Sequence, residues 1–182
     1  MSDVSVLRAA ALAFLCFHAL SAQQEGMLPR WQVEELAANL VENAEKARSV
    51  VGALRPREWV RDGAPEVYVE QHAALLQELE SVKLAALALG RQPERLTYAV
   101  DTFLWLDRAD ALFSSVSAGA RRYYNAAVAD LLDSARSRNA GAVATVKSYM
   151  RDLAAHVEGA MAVAHSEAQR CREEIIAKPP SR

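Results

Sequence analysis

The chain has 182 residues, of which 52% are hydrophobic, and its 21 Lys and Arg against 23 Asp and Glu give a formal net charge of -2. This length is enough for one domain with a hydrophobic core, and the apolar fraction excludes a disordered chain. Two cysteines exclude a disulfide-stapled mini-protein and a four-cysteine zinc site. The balanced charge argues against a nucleic-acid partner, because nucleic-acid binding requires a basic surplus.

The N-terminal residues 1–22 have the parts of a secretory signal peptide in the right order. One base, Arg8, precedes an apolar run over residues 9–20, which small residues follow. The run is shorter than the roughly 20 residues that a membrane span needs. A buried N-terminal helix is the alternative. We predict export to the periplasm or the extracellular space, a linker over residues 23–30, and a mature chain without a membrane span.

Helical periodicity dominates the first half of the predicted mature chain. Apolar residues recur every three or four positions over residues 33–54, which predicts a helix that Pro56 ends. Residues 57–65 contain turn-forming residues and are predicted to form a loop. A second helix is predicted over residues 66–89, with Gly90 as a left-handed C-terminal cap.

The second half shows the same periodicity over longer stretches. A third helix is predicted over residues 96–119, and a short one over residues 126–137. The Asn-Ala-Gly sequence at 139–141 predicts a break. The last and longest helix is predicted over residues 143–177, followed by a disordered tail at 178–182.

These elements predict an all-α fold in a single domain over residues 31–177. Four long amphipathic helices with short connections favour antiparallel neighbours, and hence an up-and-down four-helix bundle. The short helix over residues 126–137 is expected as an extra element before the long C-terminal helix.

Motifs for cofactors, metals and catalysis do not occur at the spacings that their chemistry requires. The chain contains no Cys-x-x-Cys-His for haem attachment and no Glu-x-x-His around His72, His156 or His165 for a di-iron site. It also lacks a Gly-x-Ser-x-Gly nucleophile elbow and a Gly-rich phosphate loop. We therefore predict a protein that is not an enzyme and holds no cofactor or metal.

Charged side chains near the end of the third helix are candidates for a polar network. Asp107 and Asp110 fall on the predicted apolar face of that helix, and Arg121, Arg122 and Tyr123 follow at its end. A carboxylate on a core face needs a partner, because an unpaired buried charge costs several kcal/mol. The sequence predicts that Asp107 or Asp110 accepts hydrogen bonds from Arg121 or Arg122. The network is either structural or the charged floor of a ligand pocket.

An aromatic residue and the chain's C-terminal end are candidate interaction sites. Trp59 lies among arginines, so it is either an exposed recognition residue or a plug at the end of the bundle. The last helix is predicted to reach about 50 Å, against about 36 Å for the first two helices. Its uncovered apolar residues, Ala168, Cys171 and Ile175, are expected to contact a protein partner or a second copy. Cys171 is either a small apolar residue or an interchain crosslink.

Three segments resemble sequences found in a group of small exported helical proteins of bacteria without a known activity. The resemblance spans most of residues 31–172 and rests on Glu58-Trp59-Val60 with Gly63-Ala64-Pro65-Glu66-x-Tyr68, on Arg121-Arg122-Tyr123-x-Asn125 with Ala129-Asp130-Leu131-Leu132, and on Glu167-Ala168-Gln169-Arg170-Cys171-Arg172. It implies an exported helical bundle, and it implies no substrate, cofactor or catalytic residue.

Two functional hypotheses follow from these features. The first is an exported, non-catalytic helical module that binds a protein partner or has a structural role in the cell envelope. The alternative is a protein that binds a small ligand or a metal in the interior of the bundle.

Overall fold

A computed structural model describes residues 27–177 of the chain. The predicted signal peptide (1–22), residues 23–26 of the predicted linker and the predicted tail (178–182) lie outside the described residues. The described part is all-α and contains no strand. Its helices in chain order are α1 (Arg30–Gly52), α2 (Pro56–Arg61), α3 (Val67–Arg91), α4 (Leu96–Tyr123) and α5 (Ala126–Ala177).

The four long helices form the predicted bundle. Each packs against the next in the order α1, α3, α4, α5, and α1 also contacts α5, which closes the bundle. The start of α1 packs with the end of α3 and the start of α4, so neighbouring helices run antiparallel. Buried residues recur every three or four positions on each helix, which confirms the periodicity that predicted an all-α bundle. Within the described range, no helix is both long and apolar enough to cross a membrane.

The connection between α1 and α3 contains the short helix α2, so the prediction of a loop over residues 57–65 is wrong for residues 57–61 and correct for residues 62–65. Pro56 occupies the first helical position, where its missing N–H is not needed. Glu58 in the first turn and Arg61 in the last turn complement the helix dipole. Arg55 joins α1 to α2, because its guanidinium donates hydrogen bonds to the carbonyls of the three residues before it, at 3.0–3.2 Å.

The predicted break at 139–141 is also wrong, since α5 is one continuous helix of 52 residues. The predicted short helix over residues 126–137 is its first part and not a separate element. Asn139 faces the core, and the buried side chains of Leu132, Ala135 and Val146 continue the same face on both sides of it. Their burial outweighs the roughly 1 kcal/mol that glycine costs inside a helix.

The end of α3 likewise differs from its prediction. Gly90 is helical and is not a left-handed cap, because Gly63 is the only residue with a positive φ in the described part. A Cβ at Gly90 would lie 3.1 Å from the Cβ of Ala37. Glycine at this position therefore allows α1 and α3 to pack closely.

Replacing Asn139 by Leu is expected to raise the free energy of unfolding by about 1–3 kcal/mol. Asn139 is 8% exposed, and its buried Oδ1 accepts no hydrogen bond from the described residues. Leu has a similar branched shape and removes the desolvated carbonyl from the core. Urea denaturation measures the change. Ser148→Leu on the exposed face of α5 is the control, with a change within about 0.5 kcal/mol. Equal or lower stability of the Asn139 variant would contradict the prediction.

Candidate functional site

The C-terminal part of α5 extends beyond the other helices. Residues 158–177 are all exposed, whereas Leu153 is buried and Val157 is partly buried. At about 1.5 Å per residue, this projecting segment is roughly 30 Å long. We call residues 158–177 the projecting end. The structure places Ala168, Cys171 and Ile175 on it, and Cys171 is an exposed free thiol.

The base of the projecting end is held rigidly in the bundle. Tyr149 and Leu153 form a buried cluster with Val33, Leu89 and Ala99 from the other three long helices. The Tyr149 hydroxyl donates a hydrogen bond of 2.7 Å to the carbonyl of Pro93, in the connection between α3 and α4. Burial raises the pKa of Tyr149, so the hydroxyl keeps its proton at neutral pH. These contacts anchor the base of the projecting end in the bundle.

One apolar face runs without interruption from the bundle onto the projecting end. At about 100° per residue, six apolar residues of this end of α5 occupy the same arc as the buried Val146 and Leu153, whereas the exposed Val163 and Ile176 lie outside it. Met161 is 67% exposed and Ile175 is 73% exposed. The face continues the core-packing surface of α5 where no helix of the described part covers it. We call it the exposed stripe; its members are Val157, Met161, Ala164, Ala168, Cys171 and Ile175.

Charged residues flank the exposed stripe on both sides. Glu158, His165 and Arg172 lie on one flank, and Glu167 and Glu174 lie on the other. Glu158 and Arg172 form no ion pair within residues 27–177. An apolar seam with charged flanks is the pattern by which one helix pairs with another.

The opposite end of the bundle is closed by aromatic side chains. Trp59 is 1% exposed, so it is a plug and not an exposed recognition residue. Its ring stacks on Tyr124 at a centroid distance of 5.9 Å and meets the edge of Tyr68 at 6.3 Å. Tyr68 in turn contacts Tyr123 at 5.8 Å. Trp59 therefore joins α2 to α3 and to the end of α4.

The predicted polar network exists with different partners, and the predicted pairing of Asp107 or Asp110 with Arg121 or Arg122 is wrong. Asp110 accepts two hydrogen bonds from Arg136, at 2.7 and 3.0 Å. Asp107 is exposed and has no ion-pair partner within the described range. The guanidinium of Arg122 lies 5.2 Å from the Tyr123 ring centroid.

Arg121 instead binds two carboxylates of α5. It donates hydrogen bonds of 2.8 Å to Asp130 and to Asp133, and Ser117 donates one of 2.6 Å to Asp133. The charged side chains of both networks are 39–68% exposed. Truncating one partner should therefore cost about 1 kcal/mol or less, and not the several kcal/mol of a buried pair. The networks fix α4 against α5.

A shallow cavity beside the Arg121 network tests the alternative of a charged ligand pocket. Its volume is about 330 Å³, and Ser114, Ser117, Arg121, Arg122 and Asp133 line it. Asp130 and Asp133, which Arg121 binds, carry as much negative charge as Arg121 and Arg122 carry positive charge. The cavity therefore has little uncompensated charge with which to select a ligand, and the networks are best explained as structural.

Acidification is expected to weaken this network. The hydrogen bond from Ser117, together with Arg121, lowers the pKa of Asp133 below its usual range. The pKa of a free Asp is about 3.9, so the stabilising contribution is complete above about pH 5 and is lost progressively as the pH falls further. Asp133→Asn and Ser117→Ala should each lose less stability than the wild type between pH 5 and 3, by up to about 1 kcal/mol. Urea denaturation between pH 5 and 3 measures the free energy of unfolding of the three proteins. Parallel pH profiles for the wild type and both variants would contradict the prediction.

A second cavity, of about 620 Å³, lies between α2 and α3 and opens to solvent. Its lining combines the apolar Leu54, Pro56 and Val69 with the charged Arg55, Arg57, Glu58 and Arg61. His72 borders it, and its Nε2 donates a hydrogen bond of 2.9 Å to the carbonyl of Val51. This bond gives the half-buried His72 a structural role in joining α3 to α1.

Metal ligands and known relatives do not identify a site. Within residues 27–177, no group of three or more His, Cys, Asp or Glu side chains is arranged to hold a metal ion. No known protein family, curated protein or solved structure matches this chain. The projecting end of α5 is therefore the candidate site.

The length difference between the helices predicted from the sequence that the end of the last helix is uncovered. The sequence analysis missed Met161, because Ala160 fits the same helical spacing.

Proposed function

We propose that this protein is an exported, non-catalytic helical module that binds a protein partner through the projecting end of α5. The observation that carries the proposal is the exposed stripe, an apolar face that continues the core-packing surface of α5 into solvent. The bundle serves as the rigid base of this binding helix.

The energetics of a solvated helix support a partner-covered state. Most helical stability in proteins comes from packing of the apolar face, and the apolar face of the projecting end has no such packing within the described residues. Covering Met161 and Ile175 would contribute about 1.5–3 kcal/mol each. The small side chains of Ala164 and Ala168 would let another helix approach closely. A helical segment of a protein partner fits these features.

Export rests on the sequence of residues 1–22 and is tested separately from partner binding. The full chain with a C-terminal tag should be recovered outside the cytoplasm, with an N-terminus that begins after residue 21 or 22. A Leu15→Arg substitution in the apolar run should leave the chain unprocessed and cytoplasmic. Recovery of the unprocessed wild-type chain from the soluble cytoplasmic fraction would contradict export.

Partner binding is tested by capture from envelope extracts with matched variants. Ala164→Glu places a charge in the exposed stripe, whereas Ala162→Glu places the same charge on the opposite face of the same helix turn. A protein partner should be captured by the wild type and the Ala162 variant and lost with the Ala164 variant. Identical capture by all three proteins would contradict the proposed site.

A further inference from the structure

We propose that the partner of the projecting end is a second copy of this chain, which pairs with it in antiparallel orientation around a two-fold axis near residue 166. This inference rests on the proposed function and names the partner of the same site. Residues 157–175 of each copy would cover the exposed stripe of the other, from Val157 to Ile175.

The bundle dictates the antiparallel direction. The exposed stripe lies on the same face of α5 as Val146, Tyr149 and Leu153, which pack within the bundle. In a parallel pair, α5 of the second copy would continue along this face into the space that α1 and α4 occupy. In an antiparallel pair, the second bundle lies beyond residue 177 of the first. The two exposed stripes then pair from Val157 to Ile175, and the two bundles lie at opposite ends of the pair.

The side chains of the exposed stripe match in this arrangement. With the axis near residue 166, Ala164 lies opposite Ala168 of the second copy, which allows the two helices to approach closely at the centre. Met161 lies opposite Cys171 of the second copy, and Val157 lies opposite Ile175. The larger side chains thus pack at the two ends, and small ones meet in the middle.

Charges on the flanks agree with the same register. Glu158 lies beside Arg172 of the second copy, and the two-fold axis repeats this pair. On the other flank, Glu167 meets Glu167 of the second copy across the axis, so one like-charge contact opposes two attractive ones. Removing a charge at Glu158 or Arg172 should therefore weaken the dimer, whereas removing the charge at Glu167 should strengthen it.

The first experiment measures the mass of the purified chain (residues 23–182) by light scattering over a range of concentrations. The wild type and Ala162→Glu should form dimers at high concentration, whereas Ala164→Glu should weaken the dimer at least tenfold. All three should keep the same thermal unfolding of the bundle at concentrations where they are monomeric. A wild type that stays monomeric throughout would overturn the proposal.

Disulfide trapping tests the direction and the register. Met161→Cys should crosslink rapidly under oxidation, because the introduced thiol lies opposite the native Cys171 of the second copy. Val163→Cys, outside the stripe, is the control and should react much more slowly. Cys171 of the wild type should not crosslink to its counterpart, since the two lie about 15 Å apart along the helices, whereas a disulfide requires Cα atoms within about 7 Å. Fast wild-type crosslinking would overturn the antiparallel arrangement.

The effect of Glu167→Gln on the dimer dissociation constant distinguishes the antiparallel from the parallel arrangement. In the antiparallel pair it removes the like-charge contact and should tighten the dimer by about two- to fivefold. In a parallel pair Glu167 would instead face Arg172, and the same change would loosen the dimer.

Failure of this inference is distinguishable from failure of the proposed function. A monomeric wild type that captures another protein in an Ala164-sensitive way would refute the dimer and retain the function, whereas a monomer that captures nothing would refute both.

Discussion

Truncating Trp59 to Ala is expected to lower the free energy of unfolding by about 3–5 kcal/mol, the largest single-residue effect in the bundle. Trp59 has one of the largest fully buried side chains and contacts Tyr68 and Tyr124. Removing its indole opens a cavity where α2, α3 and the end of α4 meet. The lost transfer free energy of the indole and the free-energy cost of the cavity both contribute to this destabilisation.

The matched control for Trp59→Ala is Trp31→Ala. Trp31 is 61% exposed on α1, so its truncation should change the stability by no more than about 0.5 kcal/mol. Urea denaturation followed by circular dichroism measures both variants, because the signal does not depend on the tryptophan removed. Trp59→Phe should lose less than Trp59→Ala, since it keeps an aromatic ring and removes an indole N–H that lacks a partner in the described residues. Equal losses for the Trp59→Ala and Trp31→Ala variants would contradict the plug.

Two glycine-to-alanine substitutions inside helices are expected to have opposite effects. Gly119→Ala should destabilise the protein by about 1–3 kcal/mol, because the new Cβ would lie 2.6 Å from a ring carbon of Tyr68. Contacts with Trp59 and Tyr123 restrict the movement of that ring. Gly141→Ala meets nothing within 4 Å and should stabilise α5 by about 0.5–1 kcal/mol.

A double-mutant cycle connects the loss at Gly119 to Tyr68. In a Tyr68→Ala background the clash is gone, so Gly119→Ala should become neutral or stabilising. Urea denaturation of the four proteins in the cycle gives the coupling energy. A Gly119→Ala penalty that is the same in both backgrounds would show that the aromatic contact is not its cause.

Local signals in the sequence predicted the long helices and failed at residues 57–61, at Gly90 and at residues 139–141. Periodicity identified the faces of α1, α3, α4 and α5, because the spacing of apolar residues reflects burial directly. Residues 57–65 and 139–141 carry turn-forming residues, yet both contain helix. At Trp59 and Asn139 the side chain is buried against distant parts of the chain, and this packing overrides local propensity.

The sequence likewise predicted part of the candidate site and of the polar contacts, and the rest required the tertiary structure. The lengths of the helices predicted that the end of the last one is uncovered, because helix length follows from residue number. The partner of Asp110 could not be predicted, since Arg136 lies 26 residues away and meets it only through the register of α4 against α5. The sequence also could not decide whether Trp59 is exposed or buried, because its burial at the end of the bundle depends on how α2 packs against α3 and α4. Helical structure arises from residues a few positions apart and is encoded locally, whereas pairing and burial depend on how whole helices dock, which only the tertiary structure decides.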